Sequence, residues 1–363
     1  MSTTNVDPRE ALVERIVDAM TATMETFAIH LGARLGLYAA MADGAAVSAA
    51  ALATQTKLHP RPVREWLEQQ AAAGVLELVD DSDDDDARTY RLPPAHAEVL
   101  ADRDSAYYGA AGPISMAGVA AVLPAVLESY RTGDGVPYAD FGPDLRDGIA
   151  DFNRPMFLHE LGSSWLPAIP DVHDRLSSEP AARVLDLGCG AGASTLAIAS
   201  AYPLAEVIGV DLDPASVDDA RDAAEQAGME DHVVFHLLDA AEVSSHEKRF
   251  DLVTIFEALH DMADPAGALR SARALLAEGG SVLIADERAA ERFTAPANDV
   301  ERFFYGWSVL HCLPATMAEH GPEAAGTALR PSTVERWAKQ AGFSEFEVLD
   351  IDNPFWRFYR IRN

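Results

Sequence analysis

From residue 181 onward, short apolar runs alternate with stretches whose apolar residues recur at helical spacing. Runs at 183–187, 206–210, 233–237, 251–256, 281–286, 344–350 and 355–361 read as strands. Between them, 194–201, 214–227, 265–277 and 332–341 read as helices. This alternation predicts an α/β fold, a Rossmann-like, mostly parallel seven-stranded sheet with helices on both faces. The last two strands, joined by the short Asp350–Pro354 stretch, predict an antiparallel edge hairpin.

The first hundred residues follow a different pattern. Over 10–42, Leu12, Ile16, Met20, Phe27, Leu31, Leu35 and Leu37 recur at helical spacing. Ser48 opens a short helix through Ala53, and a turn follows over Thr56–His59. A second helix starts with Pro60 and Pro62 in its first turn, where a missing donor costs nothing, and Gly74 ends it. Val75–Val79 and Arg88–Leu92 then predict two short strands joined by an acidic loop. Helix, turn, helix and a two-stranded wing predict a mainly helical winged-helix domain. The expected division is 1–104 for this domain, 105–180 for a helical connector rich in Ala, Gly and Pro, and 181–363 for the α/β domain.

Composition and charge narrow the partners. The 363 residues carry 58 acidic against 28 basic side chains, a formal net charge of -30. Such a chain repels nucleic-acid backbones and anionic membranes unless a basic patch offsets it, and the sequence shows no such cluster. The wing tip, Asp80-Asp-Ser-Asp-Asp-Asp-Asp86, would face a polyanion with six carboxylates. The winged helix therefore reads as a dimerisation and substrate-lining domain, with no nucleic acid and no membrane as partner. Cys189 and Cys312 are too few for a disulfide scaffold or a zinc cluster, so no metal is expected. The opening Met1-Ser-Thr-Thr-Asn-Val-Asp lacks the basic-then-apolar pattern of a signal peptide, and a cytoplasmic location is expected.

Candidate chemistry begins at the first strand of the α/β domain. It runs directly into Gly188-Cys-Gly-Ala-Gly192 and a helix, where Gly188, Gly190 and Gly192 let the backbone turn tightly against a ligand. With Ala193 the loop also satisfies a looser dinucleotide pattern. Asp186 argues against that reading, since a carboxylate two residues before the loop repels a diphosphate yet suits an ammonium group, through the loop or a water. Asp211, 23 residues after Gly188, ends the next strand, where it can accept both hydroxyls of a ribose. Asp239 and Ala240 follow the third strand, placed to meet an adenine amine, although Asp239 could instead cap a turn. Phe256, closing the fourth strand, is counted with the same pocket. Asp213 and Asp264, each before a proline, read as helix caps.

These residues resemble the class I S-adenosylmethionine-dependent methyltransferases, whose loop reads Asp-x-Gly-x-Gly-x-Gly followed by an acidic strand end. Leu275-Leu-Ala-Glu-Gly-Gly-Ser-Val-Leu-Ile284 is similar to that family's helix, Gly-Gly, strand segment. With the winged helix in front, the chain resembles the homodimeric small-molecule O-methyltransferases. The resemblance implies S-adenosylmethionine as cofactor and a small, aromatic or polycyclic hydroxylated acceptor. It also implies a His-Asp pair as general base just past the fourth strand, which here is His260-Asp261, with Met262 where the family often has Trp. The family orients that histidine with an acidic residue from elsewhere, and Asp286 and Glu287 both qualify by topology. Glu257, at the same strand end, can orient donor or base, or face solvent.

The 288–330 segment stands where a substrate cover is common. Tyr305, Trp307 and His311 there, with His159 from the connector, are the candidate acceptor contacts. Other readings remain open: transfer to nitrogen or carbon on the same scaffold, a ligand-sensing winged-helix regulator without catalysis, or a non-methylating rearrangement or elimination.

Overall fold

The computed structural model describes residues 7–243 and 249–363. The first six residues, on which the reading of the N-terminus mostly rests, lie outside them. The chain forms two compact units: Met1–Ala120 with Pro143–Pro155, and Ala121–Gly142 with Met156–Asn363. The expected connector therefore contributes to both.

In the first unit, the helix Pro8–Arg34 is followed by a short turn of helix at Leu37–Ala40. Ser48 caps the helix Ala49–Thr56, and His59 caps the helix Pro60–Ala72. Three short strands, β1 (Val47–Ser48), β2 (Glu77–Asp80) and β3 (Thr89–Arg91), form an antiparallel sheet in the order β1-β3-β2. The wing is thus present, with β1 as an added strand that the alternation of a two-residue segment could not reveal. Its core gathers Leu37, Tyr38, Leu52, Trp66, Leu67 and Tyr90. Trp66 donates through Nε1 to the carbonyl of Ala28 at 2.9 Å, which fastens the long first helix to the winged helix. The acidic loop is folded by cations rather than left loose: Arg88 pairs with Glu68, Asp81 and Asp85, and Arg64 with Asp86. The first helix packs Ile29 and Ala33 on this unit's core but leaves the apolar residues of its earlier turns uncovered. Leu12, Ile16, Met20 and Met24 are 51–66% exposed.

The second unit contains a seven-stranded sheet of β4 (Arg183–Leu187), β5 (Glu206–Asp211), β6 (Val233–Leu237), β7 (Phe250–Phe256), β8 (Leu276–Glu287), β9 (Glu345–Leu349) and β10 (Trp356–Arg362). Their order is β6-β5-β4-β7-β8-β10-β9. β6 to β8 pair in parallel, and β10 pairs antiparallel with both β8 and β9, as the short closing loop predicts. Alternating residues supply the two faces. Leu185, Leu187, Val253, Ile255, Val282 and Ile284 fill one core, while Val184, Val207, Leu252, Leu283 and Phe358 fill the other. β8 is longer than the expected 281–286. The register steps from Phe250↔Leu276 to Leu252↔Ser281, and Gly279 at φ 78° takes up the extra residues in a bulge. Strand order reverses between β4 and β7. Ligands of open parallel sheets bind at the carboxyl ends beside such a reversal. Among the described residues, no single helix is long and apolar enough to cross a membrane.

Two glycines bring helices of the first unit into contact. A Cβ at Gly118 would stand 2.5 Å from the Leu145 nitrogen, and one at Gly148 would stand 2.5 Å from the Ser115 nitrogen. Gly118→Ala and Gly148→Ala are each expected to destabilise by about 1–3 kcal/mol in denaturant unfolding. Wild-type stability in both variants would contradict the close helix approach.

Candidate active site

The loop after β4 is shaped from beneath. Asp186 is buried, and its carboxylate accepts from Ser194 Oγ at 2.6 Å, Thr195 Oγ1 at 2.7 Å and Thr254 Oγ1 at 2.7 Å. Burial pushes its pKa up, and the three hydroxyl donors oppose that shift. Asp186, expected to serve a ligand ammonium through the loop or a water, ties β4 to β7 and to the first turn of helix Ala193–Ala201. Thr254 stands directly across from Asp186 in the β4–β7 register. It was missed from sequence, although a hydroxyl inside the apolar run Leu252–Phe256, level with a buried Asp, is the signal that could have found it.

Above this clamp, Gly188, Gly190 and Gly192 adopt φ of 72°, 52° and 82°, a region open to glycine. The Gly188 and Cys189 amides donate to the Val210 carbonyl at 2.8 and 3.1 Å. A Cβ on Gly188 would strike Ala258 at 2.5 Å, and one on Gly192 would strike Phe235 at 2.9 Å. Beside Gly190, by contrast, there is open space within 4 Å, so a ligand can lie against the backbone there. Asp211 closes this side. Its carboxylate accepts from the Gly190 amide at 2.8 Å and the Asp213 amide at 2.9 Å, and its remaining lone pairs leave capacity for hydroxyl donors. Asp213 and Asp264 are N-caps, bonding the amides of Ser216 and Gly267 at 2.8 Å each. Asp239 is exposed and does cap a turn, accepting from the Ala241 amide at 2.8 Å, and Ala240 beside it is partly buried. Phe256, expected against the cofactor, packs in the core instead, with ring centroids 5.7 Å from Phe157 and 6.3 Å from Trp165. Cys189 is buried and its thiol is pushed well up by that burial.

The second cluster forms where β7 and β8 end. His260, on a short 3-10 turn past β7, is buried, and its Nδ1 lies 2.8 Å from Asp286 Oδ1. The His260 amide also donates to Asp286 Oδ2 at 3.3 Å. Asp286 is therefore the acidic partner of the histidine, which resolves the choice that sequence left open. The other ring nitrogen, Nε2, faces Asp261 Oδ1 at 3.3 Å. Burial alone would lower the His260 pKa, but the carboxylates of Asp261 and Asp286 outweigh it and hold the imidazole well above its ordinary value. Glu257 follows β7 with φ 49° and hydrogen-bonds Glu287. Burial is the main cause of its rise to about 8.

The 288–330 segment is docked on this turn. Thr316 Oγ1 donates to the Asp261 carbonyl at 3.3 Å, and the Glu323 amide donates to the Ala263 carbonyl at 3.2 Å. Helix Asp299–Trp307 widens into a π turn over Ser308–Cys312, which carries His311 inward. His311 is buried, 4.7 Å edge-on to Phe141, with Tyr138 at 5.9 Å and Trp307 at 6.2 Å. Burial lowers its pKa to about 4, so it is neutral, and its Nε2 has no partner among the described residues. Cys312, adjacent to it, hydrogen-bonds both His311 and His260. Tyr305 is turned aside, its hydroxyl accepting from Arg330 at 3.0 Å. His159 lies on the exposed face of helix Phe157–Trp165, because Phe157, Leu161 and Trp165 take the buried face. Sequence reasoning passed over Cys312 and Tyr138, since their place is set by how distant segments pack.

Residues 178–342 match the family described as "Methyltransferase domain", and residues 23–102 match the "Rv2258c-like winged HTH domain". A ubiquinone biosynthesis O-methyltransferase of Aromatoleum aromaticum is 31% identical over 208 residues, spanning 57% of this chain and 81% of that protein. The chain belongs to the S-adenosylmethionine-dependent methyltransferases. Solved structures share the methyltransferase's fold over nearly its whole length. The mitomycin 7-O-methyltransferase MmcR superposes with a TM-score of 0.68 at 20% identity, covering 98% of this chain and 99% of its own. Human N-acetylserotonin methyltransferase, solved with S-adenosylmethionine, gives 0.69 at 17% identity, covering 100% and 99%.

The methyltransferase's clamp yields a direct test. Asp186→Asn keeps the shape but turns one acceptor oxygen into a donor facing hydroxyls. It is expected to destabilise by about 2 kcal/mol or more in thermal unfolding and to weaken S-adenosylmethionine binding at least tenfold. Unchanged affinity by calorimetry would show that the clamp does not shape the loop.

Proposed function

We propose that this methyltransferase transfers a methyl group to a hydroxyl oxygen of a small, aromatic or polycyclic metabolite, with His260 as general base. The observation that supports this most is the His260–Asp286 pair, buried at the carboxyl end of β7 one strand from the open side of the glycine loop. In this reading Asp211 holds the ribose, and Asp239 with Ala240 meets the adenine. Gly188, Gly190 and Gly192 lie along the methionine end. Carboxylates around an open backbone suit a cofactor that carries net positive charge. Bound S-adenosylmethionine supplies an electrophilic methyl on a sulfonium.

The chain's own residues supply position and a proton acceptor. A phenol of pKa near 10 is about one part in a thousand ionised at neutral pH, a deficit of about 4 kcal/mol. Asp286 fixes His260 through Nδ1, which leaves Nε2 to take the acceptor's proton as its oxygen attacks. The acceptor hydroxyl displaces Asp261 from Nε2 to do so. Tyr138, Phe141 and Trp307 around His311 form an aromatic wall suited to a flat acceptor, with the neutral His311 as its polar point.

His260→Ala is expected to lower turnover by about 10²–10⁴ while leaving S-adenosylmethionine affinity within threefold. Because His260 titrates above its ordinary value and acts unprotonated, kcat/KM should climb as pH rises through neutrality. Asp261→Asn should move that climb to lower pH. Full activity in His260→Ala, or a flat profile, would remove the base assignment.

The reading also includes a homodimer. Leu12, Ile16, Met20 and Met24 form an exposed apolar face on one long helix, a surface that a second copy would cover. Ile16→Asp with Met20→Asp should give a monomer in analytical ultracentrifugation where the wild type is a dimer. A wild-type monomer would contradict this.

A further inference from the structure

The mechanism above leaves two carboxyl groups unused, the half-buried Glu257 and the buried Glu287. Glu257 is the first residue past β7, and its amide donates to the Ala285 carbonyl at 2.7 Å. That bond holds a non-glycine residue at φ 49°, a conformation that costs energy and is kept where the surroundings demand it. Its carboxyl meets that of Glu287, the last residue of β8, paired opposite Trp356 of β10. Glu287 is 4% exposed, and its Oε2 is buried with no partner among the described residues. No cation pairs with Glu287 among the described residues either.

Strand alternation separates the roles of neighbours. Asp286 takes the face of Ile284 and holds His260, while Glu287 takes the face of Leu283 and Ala285, where Phe157, Phe256 and Trp356 pack. Both carboxyls of the Glu pair remain within electrostatic reach of His260 at the same sheet edge. Two ionised carboxylates cannot share such a site cheaply. Burial, with the nearby Asp261 and Asp286 charges, raises Glu257 to about 8, and burial with the Glu257 charge raises Glu287, so at least one proton stays on the pair at neutral pH. A buried oxygen without a partner is costly unless a ligand supplies the donor.

We propose that Glu257 and Glu287 form a proton-sharing carboxyl pair that recognises a hydrogen-bond donor on the acceptor, next to the oxygen that is methylated. The pair selects acceptors whose reacting hydroxyl is flanked by a second hydroxyl or an amine. An acceptor with an ether or a bare C–H at that position leaves the Glu287 oxygen unsatisfied and binds more weakly. This selection rests on the methyltransferase reading of the site.

Calorimetry on the full chain saturated with S-adenosylhomocysteine tests it, with catechol, ortho-aminophenol and guaiacol as probes. Guaiacol keeps one phenolic hydroxyl and replaces the neighbouring donor by a methoxy group. The wild type should bind catechol or ortho-aminophenol at least tenfold more tightly than guaiacol, and the stronger of the two identifies the donor. Glu287→Gln and Glu257→Gln should each reduce that ratio to under threefold without changing S-adenosylhomocysteine affinity. If Glu287→Gln fails to fold, Glu257→Gln carries the test alone. A wild-type ratio near one, binding of none of the probes, or a ratio untouched by the substitutions overturns the proposal. Failure of S-adenosylhomocysteine itself to bind would instead strike the methyltransferase reading.

Discussion

One buried carboxylate sets the geometry on which the site depends. Asp186 sits in the middle of the sheet with three hydroxyls around it, from helix Ala193–Ala201 and from β7. A buried charge is tolerated only when it is hydrogen-bonded, so these partners are fixed relative to one another. The consequence is a loop that leaves β4 in a left-handed conformation and stays open at Gly190. The β5 carboxylate Asp211 then closes onto the Gly190 amide.

The second centre follows from the same sheet. β7 ends beside β4, and β8 ends beside β7, so His260 and Asp286 meet without any contact between them in sequence. The end of β8 contributes one acidic group to each face: Asp286 toward the imidazole, and Glu287 toward Glu257. Low exposure amplifies the interaction between charges here, which is why His260 rises while His311, among aromatic rings, falls.

Much of the fold was legible because the two periods, two and 3.6 residues, are clean after residue 181. The Asp350–Pro354 stretch was short enough to force the edge hairpin. The loop was legible because Gly188, Gly190 and Gly192 fall between a strand and a helix, and Asp211 because it ends a strand. What sequence could not show was direction. The three hydroxyls that hold Asp186 and the packing of Phe256 against Phe157 and Trp165 are set by sheet register and by distant segments. His159 and Tyr305 carry polar tips, yet one faces outward and the other is held by Arg330. Neither outcome is encoded in local spacing.

The account turns on the loop that Asp186 shapes, open at Gly190 and closed by Asp211, as the seat of S-adenosylmethionine. Side-by-side calorimetry with S-adenosylmethionine, S-adenosylhomocysteine and NAD tests this most directly. The account predicts saturable binding of the first two and none of NAD. Binding of NAD, or no binding of S-adenosylmethionine, would contradict it.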